Sequence, residues 1–213
     1  SIWYYFLNPR TSTSLPENYN YRPFFTWITS LLWALSPTMG AAKSPVVFHL
    51  AKIAIHAAMG IVTTLLGSAI GFSILESIWA GLIFVVHPAL NENVNYICTL
   101  STQLAALFQL ISAYIFITIS KPNYFFSRFG PIRSALVALV FYFLALSSKE
   151  ESITLLGLLP LYWLAIENQS KLKNDHNANA HKAIPNAFDK NFKGVILGCL
   201  GLITISFFSL YFM

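Results

Sequence analysis

Three ionisable side chains share one stripe of an apolar segment. His49, Lys52 and His56 follow the spacing i, i+3, i+7, which on a helix places them within an arc of about 60°. The stripe could line a pocket for an anion such as a lipid phosphate. Alternatively, Lys52 extends to the membrane interface and each histidine bonds a neighbouring backbone carbonyl. We favour the pocket, because three ionisable groups on one face of a span are unusual.

A second group of candidate residues begins at His87-Pro88. Proline interrupts a helix and frees backbone carbonyls, which is tolerated where they meet water or protein. Glu92 follows in Asn91-Glu92-Asn93, and a carboxylate at the membrane boundary can act as a base, while an imidazole can bind phosphate. The alternative is a polar cap at the end of a span. His87 and Glu92 lack the spacing of a metal cluster, so we predict no metal site.

A third candidate is the sequence Ser148-Lys149-Glu150-Glu151, which joins two short apolar runs. Lys149 could neutralise a phosphate, with Glu150 fixing the lysine by an ion pair. Taken alone, however, the pattern is more typical of a solvated turn between helices.

These side chains stand out because the rest of the chain is apolar. Of its 213 residues 56% are hydrophobic and 10% charged, against roughly 25% charged in soluble proteins. With a mean hydropathy of +0.61, this excludes a soluble domain and predicts a polytopic membrane protein. The net charge of +5 lies mostly in loops, so we expect no nucleic-acid partner. Cys98 and Cys199 lie in or beside apolar segments and indicate no disulfide framework.

We predict an all-α fold, a polytopic transmembrane helical bundle with about six spans and an interfacial helix at Phe24–Leu35. A span needs about 20 apolar residues, and two of the predicted runs are shorter, so we expect their ends to border a cavity. The predicted spans are Val46–Leu66, Ile74–Val86, Ile97–Ile119, Ala135–Leu146, Ile153–Ile166 and Val195–Met213.

The chain divides into four regions. They are an outer loop with the interfacial helix (1–45), a transmembrane module (46–166), a polar loop (167–193) and a last transmembrane helix (194–213). Loops 120–133 and 167–193 hold eight of the 13 basic residues, so the positive-inside rule makes them cytoplasmic. The other ionisable groups, except Glu76, then lie towards the opposite face, where one outward-facing polar cavity would account for most of them.

The environment of the chain follows from the same features. Short loops and the lack of a disulfide pattern favour a bacterial inner membrane, with the ER membrane as the alternative. The chain begins at Ser1 without Met and is still apolar at Met213, so either end could be cut from a longer protein.

An ordered set of motifs resembles a known family. The set is Tyr21-Arg22-Pro23, Phe48-His49-Leu50-Ala51-Lys52 with His56, Phe84-Val85-Val86-His87-Pro88 followed by Glu92, Val94 and Tyr96, and Ser148-Lys149-Glu150. It resembles the membrane module of the transmembrane and TPR-containing O-mannosyltransferases and their bacterial relatives, within the GT-C class of glycosyltransferases. The resemblance covers roughly residues 21–165.

The resemblance implies a polyprenyl- or dolichyl-phosphate sugar donor and transfer on the non-cytoplasmic face. By position it makes Glu92 the acidic, catalytic residue and Glu150 the partner of Lys149. The expected lipid-phosphate or cavity residues, including those of the histidine stripe, are Arg22, His49, Lys52, His56, His87, Lys149 and Glu150.

The chain departs from the family pattern in its acidic residues. The family carries an Asp-Asp pair in the first outer loop, whereas this chain has no Asp before Asp175, and Asp175 and Asp189 both lie in a predicted cytoplasmic loop. Lys52 also stands where the family typically has Asn. We therefore expect a partial or non-catalytic relative that serves as a structural subunit of a membrane complex, with membrane lipids and other membrane subunits as partners and no cofactor.

Two other functions remain open. The first is an active O-mannosyltransferase or related O-glycosyltransferase whose catalytic Asp lies outside this chain and whose donor is a polyprenyl-phosphate sugar. The second is a transporter or lipid-binding protein that uses the stripe of His49, Lys52 and His56. The lack of an internal repeat argues against the second.

Overall fold

The structure, a computed structural model, describes residues 4, 22–39, 42–119, 121, 124–159, 161–162, 201 and 204–205. In this part of the chain the fold is mostly helical. The helices are α1 (Pro23–Leu35), α2 (Val46–Ile70), α3 (Ile74–Val86), α4 (Asn91–Asn95), α5 (Leu100–Thr118) and α6 (Pro131–Ser148). Two-residue strands, β1 (Thr38–Met39) and β2 (Ala42–Lys43), pair antiparallel between α1 and α2. Short 3₁₀ turns lie at Pro88–Leu90, Ile97–Thr99, Phe126–Phe129 and Glu150–Thr154.

Three helical segments are long and apolar enough to cross a membrane: Val46–Ile70, Ile97–Thr118 and Pro131–Ser148. A fourth span results if α3 and the segment Pro88–Asn95, which are bent by 50° at their junction, are counted together. The prediction of a helical fold with apolar helices long enough to span a membrane is thus confirmed. About six spans is too many for the described residues. The predicted last span at 195–213 and the end of the one at 153–166 fall almost entirely outside them.

Helices α5 and α6 form the larger of two apolar cores. Ile115 and Phe116 of α5 are buried against Ala138, Tyr142 and Leu146 of α6. The Ser112 hydroxyl donates to the Ala138 carbonyl at 2.9 Å, a contact that the absence of a large side chain at residue 138 permits. This pair of helices is therefore the rigid centre of the bundle.

The smaller core joins α1 and α2 to the start of α5. Phe48, Leu100 and Leu104 are buried, and Phe25 and Ile28 of α1 pack against them. Pro23 begins α1, where a missing N–H costs nothing. The helix predicted at 24–35 is therefore present. Its face that carries Phe25 and Ile28 packs against α2 and the start of α5.

Helices α2 and α3 form a tight hairpin. Gly71, with φ of 119°, ends α2 in the left-handed conformation that glycine adopts readily. Ser73 and Glu76 then begin α3 with a reciprocal capping box. Further along, a Cβ on Gly81 would collide with the Thr64 hydroxyl, and one on Gly60 with Val85. The two helices can approach this closely only because both positions are glycine.

The loop between α5 and α6 closes the end of this hairpin. Lys121 donates from Nζ to the Ala69 carbonyl, and the Tyr124 hydroxyl donates to the Ser68 carbonyl at 3.0 Å. Both acceptors belong to the last turn of α2, whose carbonyls have no partner within the helix. Burial lowers the pKa of the Lys121 ammonium group. The loop and the α2–α3 turn therefore share one end of the bundle, whereas Arg22, Thr99 and Lys149 mark the other.

Candidate functional site

Two candidate histidines hydrogen-bond the backbone groups that are left without a helical partner where α3 ends. Pro88 ends the helix, so the Val85 carbonyl and the Ala89 amide do not bond to each other. His56 of α2 places its Nε2 3.0 Å from the Val85 oxygen, and the Ala89 N–H donates to Nδ1 of His87 at 3.2 Å. His56 also stacks on Phe84, with ring centroids 5.8 Å apart. Each histidine thus satisfies one half of the interrupted helical hydrogen bond.

A cleft of about 420 Å³ opens beside this break. Its wall is mainly aliphatic, with the polar groups of His56, His87 and Asn91 among the lining side chains. The short span Ile74–Val86 was expected to end at a cavity, and it does. His56 is nearly buried, whereas His87 is exposed. The cleft therefore extends from the contact between α2 and α3 to the protein surface.

Arg22 and Glu150 form a forked ion pair at the outer end of the bundle. The Arg22 Nε donates to Oε2 of Glu150 at 3.0 Å, and its second nitrogen donates to Oε1 at 2.7 Å. The two side chains are 21% and 31% exposed, so the pair is partly shielded from water. Burial raises the pKa of the Glu150 carboxyl, but the hydrogen bonds and charge of Arg22 outweigh it, and the net pKa lies below its ordinary value.

Lys149 does not form the expected ion pair with Glu150. Its Nζ contacts Oε1 of Glu151 at 2.8 Å and donates to the Thr102 hydroxyl of α5 at 3.1 Å. Glu150 instead binds Arg22 through both of its oxygens, and the Lys149 charge lies close enough to help lower the Glu150 pKa. The Ser-Lys-Glu sequence therefore fastens α6 to α1 and α5 at this end of the bundle.

Lys52 is fully buried. Its Nζ donates to the Thr99 hydroxyl at 2.8 Å, and that hydroxyl lies within bonding distance of the Asn93 and Tyr96 carbonyls. The alternative in which Lys52 extends to the membrane interface does not hold. His56 does contact a backbone carbonyl, as that alternative predicted. Neither the pocket nor the interface alternative therefore describes all three residues of the stripe.

The remaining candidates are more exposed. His49 is half-buried, and in the described part of the chain no hydrogen bond joins its ring. Glu92 lies in α4 with an exposed side chain, and the ion pairs of the described residues do not include it. Among those residues no three His, Cys, Asp or Glu side chains are grouped as metal ligands would be. Among the described candidates, His56 and His87 line the cleft, whereas Arg22, Lys149 and Glu150 belong to the ion pairs. Lys52 and His49 belong to neither group, so the described residues do not form the one predicted cavity.

Three polar residues at the start of α5 were not among the sequence candidates. Thr99 and Thr102 accept the two lysines, and Gln103 is 2% exposed with neither amide atom hydrogen-bonded in the described structure. Their spacing of i, i+3 and i+4 within a long apolar run is the signal that could have identified them, since uncharged polar residues there face other helices.

Comparison of the chain with known protein families, with curated proteins and with solved structures finds no match.

Proposed function

We propose that this chain is a non-catalytic, GT-C-like membrane module that acts as a structural subunit of a membrane complex. The ion pair of Arg22 with Glu150 is the observation that carries this proposal. The resemblance assigns both residues to a lipid-phosphate cavity, yet each hydrogen-bonds the other through two contacts. A fork of this kind has strict geometry and holds its partners in place.

The second phosphate candidate supports the same function. Lys149 is bonded to Glu151 and Thr102, so its charge is already neutralised. A phosphate entering here would have to displace a carboxylate from each of the two cations. The cluster is better suited to joining α1, α5 and α6 than to receiving a charged leaving group.

A transfer assay tests this proposal directly. The full chain, purified in lipid nanodiscs, is incubated with a polyprenyl-phosphate mannose donor and a peptide acceptor, and release of polyprenyl phosphate is followed. We expect no release above the protein-free background and no retention of the donor on the protein. Release that is lost in Glu92→Gln but kept in Glu151→Gln would overturn the structural role.

One observation favours an active glycosyltransferase as the second candidate. Glu92 is exposed beside a cleft that contains two histidines and the Asn91 side chain, an arrangement suited to a general base for a sugar acceptor. For this candidate the catalytic Asp must be supplied from outside the given chain. Adding a partner that contains such an Asp would then turn on donor consumption in the same assay.

The proposed orientation puts loops 120–133 and 167–193 in the cytoplasm, in a bacterial inner membrane or, alternatively, the ER membrane. Arg128 and Arg133 are exposed and lie at the end of the bundle where Lys121 contacts α2. The positive-inside rule supports this sidedness.

A further inference from the structure

We propose that a small inorganic anion, of which chloride is the type, binds at the buried start of α5 between Lys52 and Gln103. The proposal does not depend on catalysis, and its site is separate from the ion pairs of Arg22 and Lys149. It follows from the charge balance, the hydrogen-bonding groups and the burial of this site.

Lys52 has no carboxylate partner among the described residues. Arg22 pairs with Glu150 and Lys149 with Glu151, whereas Lys52 donates to the neutral Thr99 hydroxyl and lies near the Cys98 thiol. A buried ammonium group without a counter-charge is costly. The uncompensated charge of Lys52 therefore makes the site attractive to an anion.

The hydrogen-bond donors at this point exceed the acceptors. Lys52 has three N–H donors and uses one on Thr99. The Thr99 side chain does not cap α5, because its proton is directed to the carbonyls of Asn93 and Tyr96. The Leu100 N–H instead donates to the Ile97 carbonyl of the preceding 3₁₀ turn, so the surplus donors at this point are the two remaining N–H groups of Lys52.

Gln103 is the independent observation that indicates a ligand. It lies four residues after Thr99 and thus on the same face of α5, the face that Lys52 contacts. Gln103 is 2% exposed, and both atoms of its side-chain amide are buried without a hydrogen-bond partner in the described structure. A buried amide normally bonds protein or an ordered ligand, and its NH₂ group can bind an anion.

Burial selects a small anion over a lipid headgroup. Lys52, Leu100 and Ser101 are each at most 3% exposed, so among the described residues this site is better suited to a small ion than to a sugar phosphate with its lipid chain. A halide needs only about the space of one water molecule and accepts hydrogen bonds from any direction.

Titration of the purified full chain with anions tests the proposal. In chloride-free gluconate buffer at constant ionic strength, added chloride should raise the thermal unfolding midpoint and saturate, and bromide should do the same. Lys52→Met should abolish the response, and Gln103→Leu should weaken the apparent Kd about tenfold or more, the loss of one charge-assisted hydrogen bond. Lys149→Met is the matched control, and its Kd should stay within about twofold of wild type.

A direct measurement keeps the proposal falsifiable if Lys52→Met does not fold. Broadening of the ³⁵Cl NMR line by the wild-type chain should be reversed by bromide. No broadening, or an equal chloride response in folded Lys52→Met, would overturn the site. Ordered water would then be the partner of the Gln103 amide. Stabilisation by dodecyl phosphate or inorganic phosphate but not by chloride would overturn it in favour of a phosphate site.

Discussion

Arg22 and Glu150 are 128 positions apart in the chain and joined by two hydrogen bonds of 3.0 and 2.7 Å. The arginine precedes α1, and the glutamate follows α6, so the pair links the first and last described long helices at one end of the bundle. Both side chains are less than one-third exposed, which makes the pair stronger than an ion pair on an open surface.

Replacing Arg22 by Gln should lower the free energy of unfolding by about 1–2 kcal/mol, because a partly buried carboxylate loses its charged partner. Chemical denaturation in detergent measures this change. In the double variant with Glu150→Gln the loss should be less than the sum of the two single losses. Strict additivity would show that the two side chains do not stabilise each other.

The same pair gives the fold a defined acid sensitivity. Since the folded pKa of Glu150 lies below the ordinary value of 4.5, its contribution is complete above that value and is lost as the pH falls through the lower, folded pKa. The difference in unfolding midpoint between wild type and Glu150→Gln should therefore be constant near neutral pH and shrink below about pH 4.5. A difference that grew towards acid would contradict the assigned direction.

The close approach of α2 and α3 makes Gly81 intolerant of a side chain. Gly81→Ala should cost about 1–3 kcal/mol, because the added methyl meets Thr64 and the Gly60 carbonyl. Gly157→Ala is the matched control, since a Cβ there meets nothing within 4 Å and alanine favours helix. Thermal unfolding of both variants provides the comparison, and equal midpoints would argue against tight packing of this hairpin.

The proposed orientation predicts which cysteines an impermeant thiol reagent can reach. Cys98 is exposed near the start of α5, so in a Cys199→Ser background intact cells should be labelled at Cys98. With Cys98 also replaced by Ser, Arg128→Cys should react only after the membrane is permeabilised. The reverse pattern would invert the topology.

The sequence predicted the helices better than their contacts. The run Ile74–Val86 was predicted with the bounds that α3 has, because the apolar run begins at Ile74 and His87-Pro88 marks its end locally. Helix α6 begins four residues before its predicted start, at Pro131 rather than Ala135. Proline is favoured at the first position of a helix and Arg133 can stay exposed there, whereas apolarity alone marks only the lipid-facing part.

The partners of the charged residues required the three-dimensional structure. Neighbouring positions suggested Lys149 with Glu150, but Arg22 approaches Glu150 through the packing of α1 on α6, which no local spacing reveals. Periodicity placed Lys52 on a stripe with two histidines, and yet its hydrogen-bond partner, Thr99, lies on another helix. Contacts between distant segments depend on how helices cross, and a single sequence does not specify this.

The bonds from Lys121 and Tyr124 to the end of α2 have a consequence for biosynthesis. These side chains follow their acceptors by 52 and 56 residues, so a ribosome adding about 5–20 residues per second reaches them roughly 3–10 s later. Until then the Ala69 and Ser68 carbonyls at the end of α2 lack these two donors, so this end of the α2–α3 hairpin is completed only after α5 has been synthesised.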